Sequence, residues 1–165
     1  SIVNHVVDDK PYSVQAVGVS HTKNNIENIA YLTLNYNSDM IAHFHCSWTS
    51  PVKIRRFLIG GEKKMILWDD MEPTEKIKIY DTSYSHSTDE DKRKILVDYR
   101  VGDIHVPKIP NKEALSELAK DFLSAISQGD EPISNYISGV NVIKVLEAAQ
   151  ISIKNGGKEV KVVYS

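Results

Sequence analysis

The sequence predicts an α+β domain, a predominantly antiparallel open sheet with helices packed on one face. Three features lead there. Residues 12–101 hold short runs rich in β-branched and aromatic residues, each bounded by turn signals. The links between those runs are too short for the crossovers that parallel pairing requires. Two segments of helical period then follow, near 115–126 and 138–155. At 165 residues the chain suits one domain, 1–165, with a core of its own.

The elements read in order as follows. Ile2, Val3, Val6 and Val7 fall at helical spacing, but the segment is barely two turns long and has no initiator Met before it. It reads as the tail of a longer helix that begins upstream, and it ends at Asp8 to Pro11 because a residue before proline leaves the helical region. Strands are expected at 12–20, 27–36, 40–50, 54–59, 65–68 and 76–80. They are separated by Lys23 to Asn25, Asn37 to Asp39, Gly60–Gly61 and Asp69–Asp70. Residues 81–92 are polar and uniform, the composition of a loop, and one more strand is expected over 94–101. Leu115, Leu118, Ala119, Phe122, Leu123 and Ile126 form one apolar stripe on a helix, with Asn111 as its expected N-cap and Gly129 as its stop. The next helix, 138–155, has only a narrow polar edge (Asn141, Lys144, Glu147, Gln150, Lys154), so burial over most of its surface is expected. Gly156–Gly157 ends it, and 159–164 alternates as a last strand. The other face of the sheet is left needing cover, since Met40 to Trp48 is apolar at both parities.

Composition sets the bounds on function. Twenty Lys and Arg face twenty-two Asp and Glu, a net charge of −2, with no basic excess to hold a nucleic-acid backbone. No apolar run approaches the roughly 18 residues of a membrane span. Cys46 is alone, so no disulfide forms within the chain, as suits a reducing cytoplasm. No glycine-rich phosphate loop, nucleophile elbow or Cys-x-x-Cys pair is present.

Three groups of residues carry candidate chemistry. His43 and His45 share a strand face, as some metal sites require, yet Ser47 to Pro51 supplies no third ligand, and two histidines on a half-exposed strand give the same pattern. Lys53, Arg55 and Arg56 follow Trp48 and Pro51 closely. They suit a clamp on a phosphate or carboxylate, or equally a strand edge kept soluble by charge. Alternation separates Arg55 from Arg56, so only one of them should face a cleft, with Lys53 on the side of Arg55. Asp103 and His105, after Gly102, have the types of an acid/base pair, or of ordinary loop residues.

Taken in order, these segments resemble a known family. His43-Phe-His-Cys-Ser-Trp48, Pro51, Arg55-Arg56-Phe-Leu-Ile-Gly60-Gly61 and Met65-Ile-Leu-Trp-Asp69 look like the sheet of the C-terminal domain of the glucose–fructose oxidoreductase/inositol dehydrogenase (Gfo/Idh/MocA) family. So does the end of the chain, with Glu113-Ala-Leu, Asp121-Phe-Leu-Ser-Ala-Ile126, Gly129, Pro132-Ile-Ser, Gly139 to Ala149 and Gly157-Lys-Glu-Val. Phe57 to Ile66, Asp69–Asp70 and Lys76 to Asp81 look closest to members predicted to be sugar or sugar-nucleotide dehydrogenases.

The resemblance implies an N-terminal Rossmann domain, outside these residues, that binds NAD or NADP. It implies that residues 1–165 supply the substrate platform and the oligomer contact. The family's catalytic Lys lies in the nucleotide domain, and its Asp and His lie on the helix upstream of Ser1, so no catalytic, cofactor-binding or metal residue is expected within this chain. Substrate contacts are expected among Trp48, Lys53, Arg55, Arg56, Asp103 and His105. The resulting expectation is one part of a cytoplasmic NAD(P)-dependent dehydrogenase for a CH–OH group of a sugar, sugar nucleotide or cyclitol. This part should be inactive alone, and should associate with its Rossmann domain and, through the sheet face, with a second copy. Two other readings compete: a stand-alone binding or dimerisation module, and a small metal enzyme using His43 and His45.

Overall fold

The computed structural model describes residues 1–7, 9–81, 102–110 and 112–164. The expected loop over 82–92, the expected strand over 94–101 and the expected cap Asn111 lie outside the described residues. The chain forms two compact units, one built from Ser1–Ser50 with Glu113–Ser165, the other from Pro51–Lys112.

The first unit begins with α1 (Ile2–Val6) and continues through β1 (Ser13–Val19), β2 (Ile29–Asn35) and β3 (Ile41–Ser47). It is completed by α2 (Ala114–Gln128), α3 (Tyr136–Lys154) and β8 (Val160–Lys161). Its sheet has the order β3-β2-β1-β8, every pair antiparallel. Ala16 pairs with Leu32 and Leu32 with Phe44, so alternation assigns Val14, Ala16, Leu32, Leu34, Ala42 and Phe44 to one face. That face meets α3. Val14, Ala16, Leu34 and Tyr36 are buried against Val145, Ala148, Ala149 and Val162, with Val3 and Val7 of the N-terminal segment packed on the same cluster.

Helix α3 is tied to the sheet by one hydroxyl as well as by packing. Strand β8 pairs only with Ser13 and Val14, which leaves the Ala16 N–H beyond the end of that ladder. Ser152 Oγ accepts it at 2.9 Å and donates to the Lys158 carbonyl at 2.6 Å. The buried serine thus satisfies a donor that would otherwise be stranded.

The second unit holds β4 (Arg56–Gly60), β5 (Lys64–Asp69), β6 (Ile77–Asp81) and β7 (Ile104–His105) in a separate antiparallel sheet of that order. Gly102 is required there by proximity: a Cβ at this position would lie 1.8 Å from the Asp81 carbonyl oxygen. No described residue of this unit is buried.

The antiparallel α+β class holds, while five expectations change in detail. One sheet becomes two, because Pro51 has no N–H to continue a ladder and β4 starts only at Arg56. Helix α2 is capped by Glu113, whose carboxylate accepts the N–H groups of Leu115 and Ser116, instead of by Asn111. Among the described residues α3 and the N-terminal Val3 and Val7 cover the sheet, while the α2 stripe stays exposed, with Leu115 71% and Ile126 67% exposed. Helix α3 starts earlier than expected, on an Asn135 cap, and buries only Val145, Ala148, Ala149 and Ser152. The last strand shortens to two residues, since beyond Lys161 the Val162 N–H bonds to Tyr12 O. Gly129 ends α2 as expected, in the left-handed region at φ 75°.

Candidate functional site

The expected site residues fall in both units. Trp48, directly after β3, is two-thirds exposed. Its indole N–H donates to the Glu27 carbonyl at 3.0 Å, and its backbone N–H to the Asn28 carbonyl at 3.2 Å. Asn28, the residue behind this placement, carries no signal in the sequence. Asn28 is buried, its Oδ1 accepts the His21 N–H at 2.8 Å, and its Nδ2 donates to Thr49 Oγ1 at 2.8 Å. One amide therefore locks the 20–28 loop to the Trp48–Thr49 segment and holds an exposed indole in a fixed orientation. Only the turn residues Asn24 and Asn25 marked this loop in the sequence.

In the second unit the cations divide. Arg56 donates from Nε and Nη2 to Asp69 Oδ2, at 3.0 and 2.6 Å. These bonds, with the Met71 N–H donating to Oδ1, hold the Asp69 carboxyl below its ordinary pKa. Arg55 makes a looser contact with Asp70 at 3.5 Å, and Lys76 approaches the same carboxylate at 3.7 Å. Arg55, which precedes β4, and Arg56, its first residue, thus take different carboxylates. Lys53 is exposed and makes no ion pair among the described residues.

Register separates the rest. Arg56 pairs with Asp69, whereas His105 pairs with Ile79, Ile79 with Ile66, and Ile66 with Ile59. Period-two alternation puts Arg56 and His105 on opposite faces of this sheet. Asp103 contributes its carbonyl to the Asp81 N–H at 3.0 Å, and no hydrogen bond joins it to His105 among the described residues. The structure therefore does not assemble the six expected residues into one constellation.

The open face of the first sheet carries a second arrangement. The Tyr31 ring stacks on His45 at 4.6 Å between centroids and 8° between planes, and more distantly on His43 at 6.4 Å. His43 Nδ1 lies 3.0 Å from Thr33 Oγ1. Val17, Val19 and Ile41 are more than half exposed beside them. None of the strand residues on this face of β1, β2 and β3 is Lys, Arg, Asp or Glu. Among the described residues no group of three or more His, Cys, Asp or Glu side chains is placed to hold a metal ion, so His43 and His45 gain no third ligand.

A shallow cleft of about 330 Å³ lies between α2 and the turn into α3, walled by Leu118, Phe122, Pro132 and Tyr136. Two of its carboxylates are engaged: Asp121 accepts the Ile133 N–H at 3.1 Å, and Glu131 accepts Asn135 Nδ2 at 2.6 Å. Among the described residues, no helix is long and apolar enough to cross a membrane.

One antiparallel sheet unit with a held aromatic and an exposed, mostly apolar face, and a second antiparallel sheet unit edged by ion pairs, define an α+β domain. The chain belongs to the Gfo/Idh/MocA oxidoreductases: the family described as "Oxidoreductase family, C-terminal alpha/beta domain" matches residues 1–162. Among solved structures, UDP-N-acetylglucosamine 3-dehydrogenase from Acidithiobacillus ferrooxidans is similar with a TM-score of 0.71 at 18% identity, over 91% of this chain and 42% of that one. Levoglucosan dehydrogenase, in complex with NADH and L-sorbose, has a TM-score of 0.73 at 12% identity, over 94% and 46%. An aldose–aldose oxidoreductase from Caulobacter crescentus gives 0.69 at 18%, over 93% and 42%. At these identities the likeness is one of fold. The chain spans less than half the length of these structures. No curated protein matches it significantly.

Proposed function

We propose that this chain is the substrate-side and oligomerisation domain of an NAD(P)-dependent dehydrogenase acting on a CH–OH group of a sugar, sugar nucleotide or cyclitol. In this reading a Rossmann half lies elsewhere in the same polypeptide. The observation that carries it is the family match over 1–162 in a chain that spans less than half of its structural relatives. The residues present do not fit the dinucleotide. A pyrophosphate seeks free N–H groups at a helix N-terminus, but Glu113 fills that of α2 with a carboxylate and Asn135 caps that of α3. No step of the reaction is therefore routed through this chain's own residues. Its part is to hold the sugar and exclude water.

Within the second unit Arg56 is paired with Asp69 and His105 lies on the opposite sheet face, which supports Lys53 as the cation that meets an anionic or polyhydroxy group. Self-association through the open face of the first sheet is supported by the exposed Val17, Val19, Tyr31 and Ile41, with the charged Glu159 and Lys161 only at its β1–β8 end.

Calorimetric titration with NADH tests the division of labour. The full-length protein is expected to bind, and the 165-residue chain is not; micromolar binding by the chain alone would sink the reading. In the same full-length enzyme, Lys53→Ala is expected to lower kcat/KM by roughly ten- to a hundredfold, mainly through KM. An unchanged kcat/KM would return Lys53 to the role of surface charge.

A further inference from the structure

We infer that Trp48 and Glu27 form a subsite for a six-membered sugar or cyclitol ring. The indole carries the C–H face of the ring, and the Glu27 carboxylate accepts from its hydroxyls. The inference deepens the reading above and rests on it.

Three observations carry it. The first is rigidity. Trp48 is two-thirds exposed, yet its indole N–H donates to the Glu27 carbonyl and its backbone N–H to the Asn28 carbonyl, while the Asn28 amide ties the next residue, Thr49. A large aromatic surface thus stands in water with its polar edge engaged, and little ordering entropy is left to lose on binding.

The second is an unpaired carboxylate. Among the described residues the Glu27 side chain makes no hydrogen bond and no ion pair. It lies instead over Gly18, where a Cβ would come within 2.8 Å of Glu27 Cγ and 3.3 Å of Ile153 Cδ1. Glycine makes the room for it, and the nearness of Ile153 of α3 sets Glu27 on the helix side of the sheet, away from Tyr31 and the two histidines. An acceptor beside an aromatic plate suits a pyranose or cyclitol, which offers an apolar C–H face and a rim of hydroxyl donors.

The third is the neighbourhood. The 20–28 loop is polar except at Ile26, and Ser47, Thr49 and Ser50 flank Trp48 along the chain. Small hydroxyl and amide side chains of this kind match sugar hydroxyls, whereas a tryptophan that docks a protein sits in an apolar, water-excluding patch.

Steady-state kinetics of the full-length enzyme test this, with D-glucose, N-acetyl-D-glucosamine, its UDP derivative and myo-inositol as ring substrates and D-sorbitol as the open-chain control. On the best ring substrate, Trp48→Ala is expected to raise KM at least about tenfold with kcat within about twofold, while Trp48→Phe stays within about threefold of the parent. Glu27→Gln is expected to raise KM about three- to tenfold. Saturating sugar should also shield from acrylamide the emission that Trp48→Phe removes, a readout independent of turnover. An unchanged KM in Trp48→Ala overturns the inference and leaves the dehydrogenase reading intact. A KM loss that comes with a changed oligomeric state assigns Trp48 to a contact between copies and overturns it too, as does equal dependence on Trp48 for D-sorbitol. If none of these compounds is oxidised with NAD or NADP, the proposed function itself fails and takes this inference with it.

Discussion

The two units are made cohesive by different means. The first buries Val14, Ala16, Leu34 and Tyr36 against α3 and ties the layers with Ser152. The second buries no described residue, and its strands are held by ladder hydrogen bonds, the Phe57–Trp68 contact at 5.1 Å and exposed ion pairs such as Lys64–Asp81 at 2.9 Å. The difference teaches where the chain is sensitive. Stability is concentrated between one sheet and one helix, while the charged strands after Pro51 are free to vary around a ladder.

The sharpest test of that contrast is a pair of truncations. Leu34→Ala removes a side chain that is 4% exposed and is expected to cost about 2–5 kcal/mol. Leu58→Ala, at a position 67% exposed, is expected to stay within about 0.5 kcal/mol of the parent. Urea unfolding followed by circular dichroism measures both, and similar losses at the two sites would abolish the distinction.

Ser152→Ala comes next in size. It leaves the Ala16 N–H and the Lys158 carbonyl without their partner, at an expected cost of about 1–3 kcal/mol. Ser152→Thr keeps the hydroxyl and should recover part of the loss; equal urea midpoints for Ala and the parent would show that packing alone joins α3 to β1.

The smallest effect is electrostatic and belongs to the second unit. Arg56 lowers the pKa of Asp69 in the folded state, so the pair's contribution is fully present above the ordinary carboxylate pKa of about 4 and is lost as pH falls through the lowered folded value. Asp69→Asn is therefore expected to flatten the acid limb of stability below about pH 4 and to change little at neutrality. Parallel limbs in thermal melts between pH 6 and pH 2 would mean that the pair is energetically silent, as many exposed pairs are.

Much of the fold was legible because strand alternation is local. Runs such as Tyr31 to Asn35 and Ile41 to Ser47 declare their period without reference to neighbours, and Gly129 marks a helix end by backbone freedom alone. The cap of α2 was not legible, because Asn is the commoner capping residue and Glu113 takes that place only through its observed geometry. The exposure of α2 was not legible either: an amphipathic stripe states that a helix wants cover, never what covers it. The site was the least legible part. Arg56 and His105 were both read as substrate contacts by residue type, but the face each one takes is set by register, and register accumulates over β4, β5, β6 and β7. Asn28 escaped because a buried amide that organises a loop has the same sequence signature as any turn residue.

The placement of the two tryptophans has an optical consequence. The chain contains two, and each unit holds one: Trp48 stands exposed on the first, its indole N–H held by Glu27, and Trp68 lies against Phe57 in the second. Each unit therefore carries its own intrinsic fluorophore, one water-facing and red-shifted, the other partly shielded and bluer. Trp48→Phe and Trp68→Phe would yield single-emitter proteins whose spectra report one unit at a time, so that the loosening of the charged strands can be watched separately from the melting of the core.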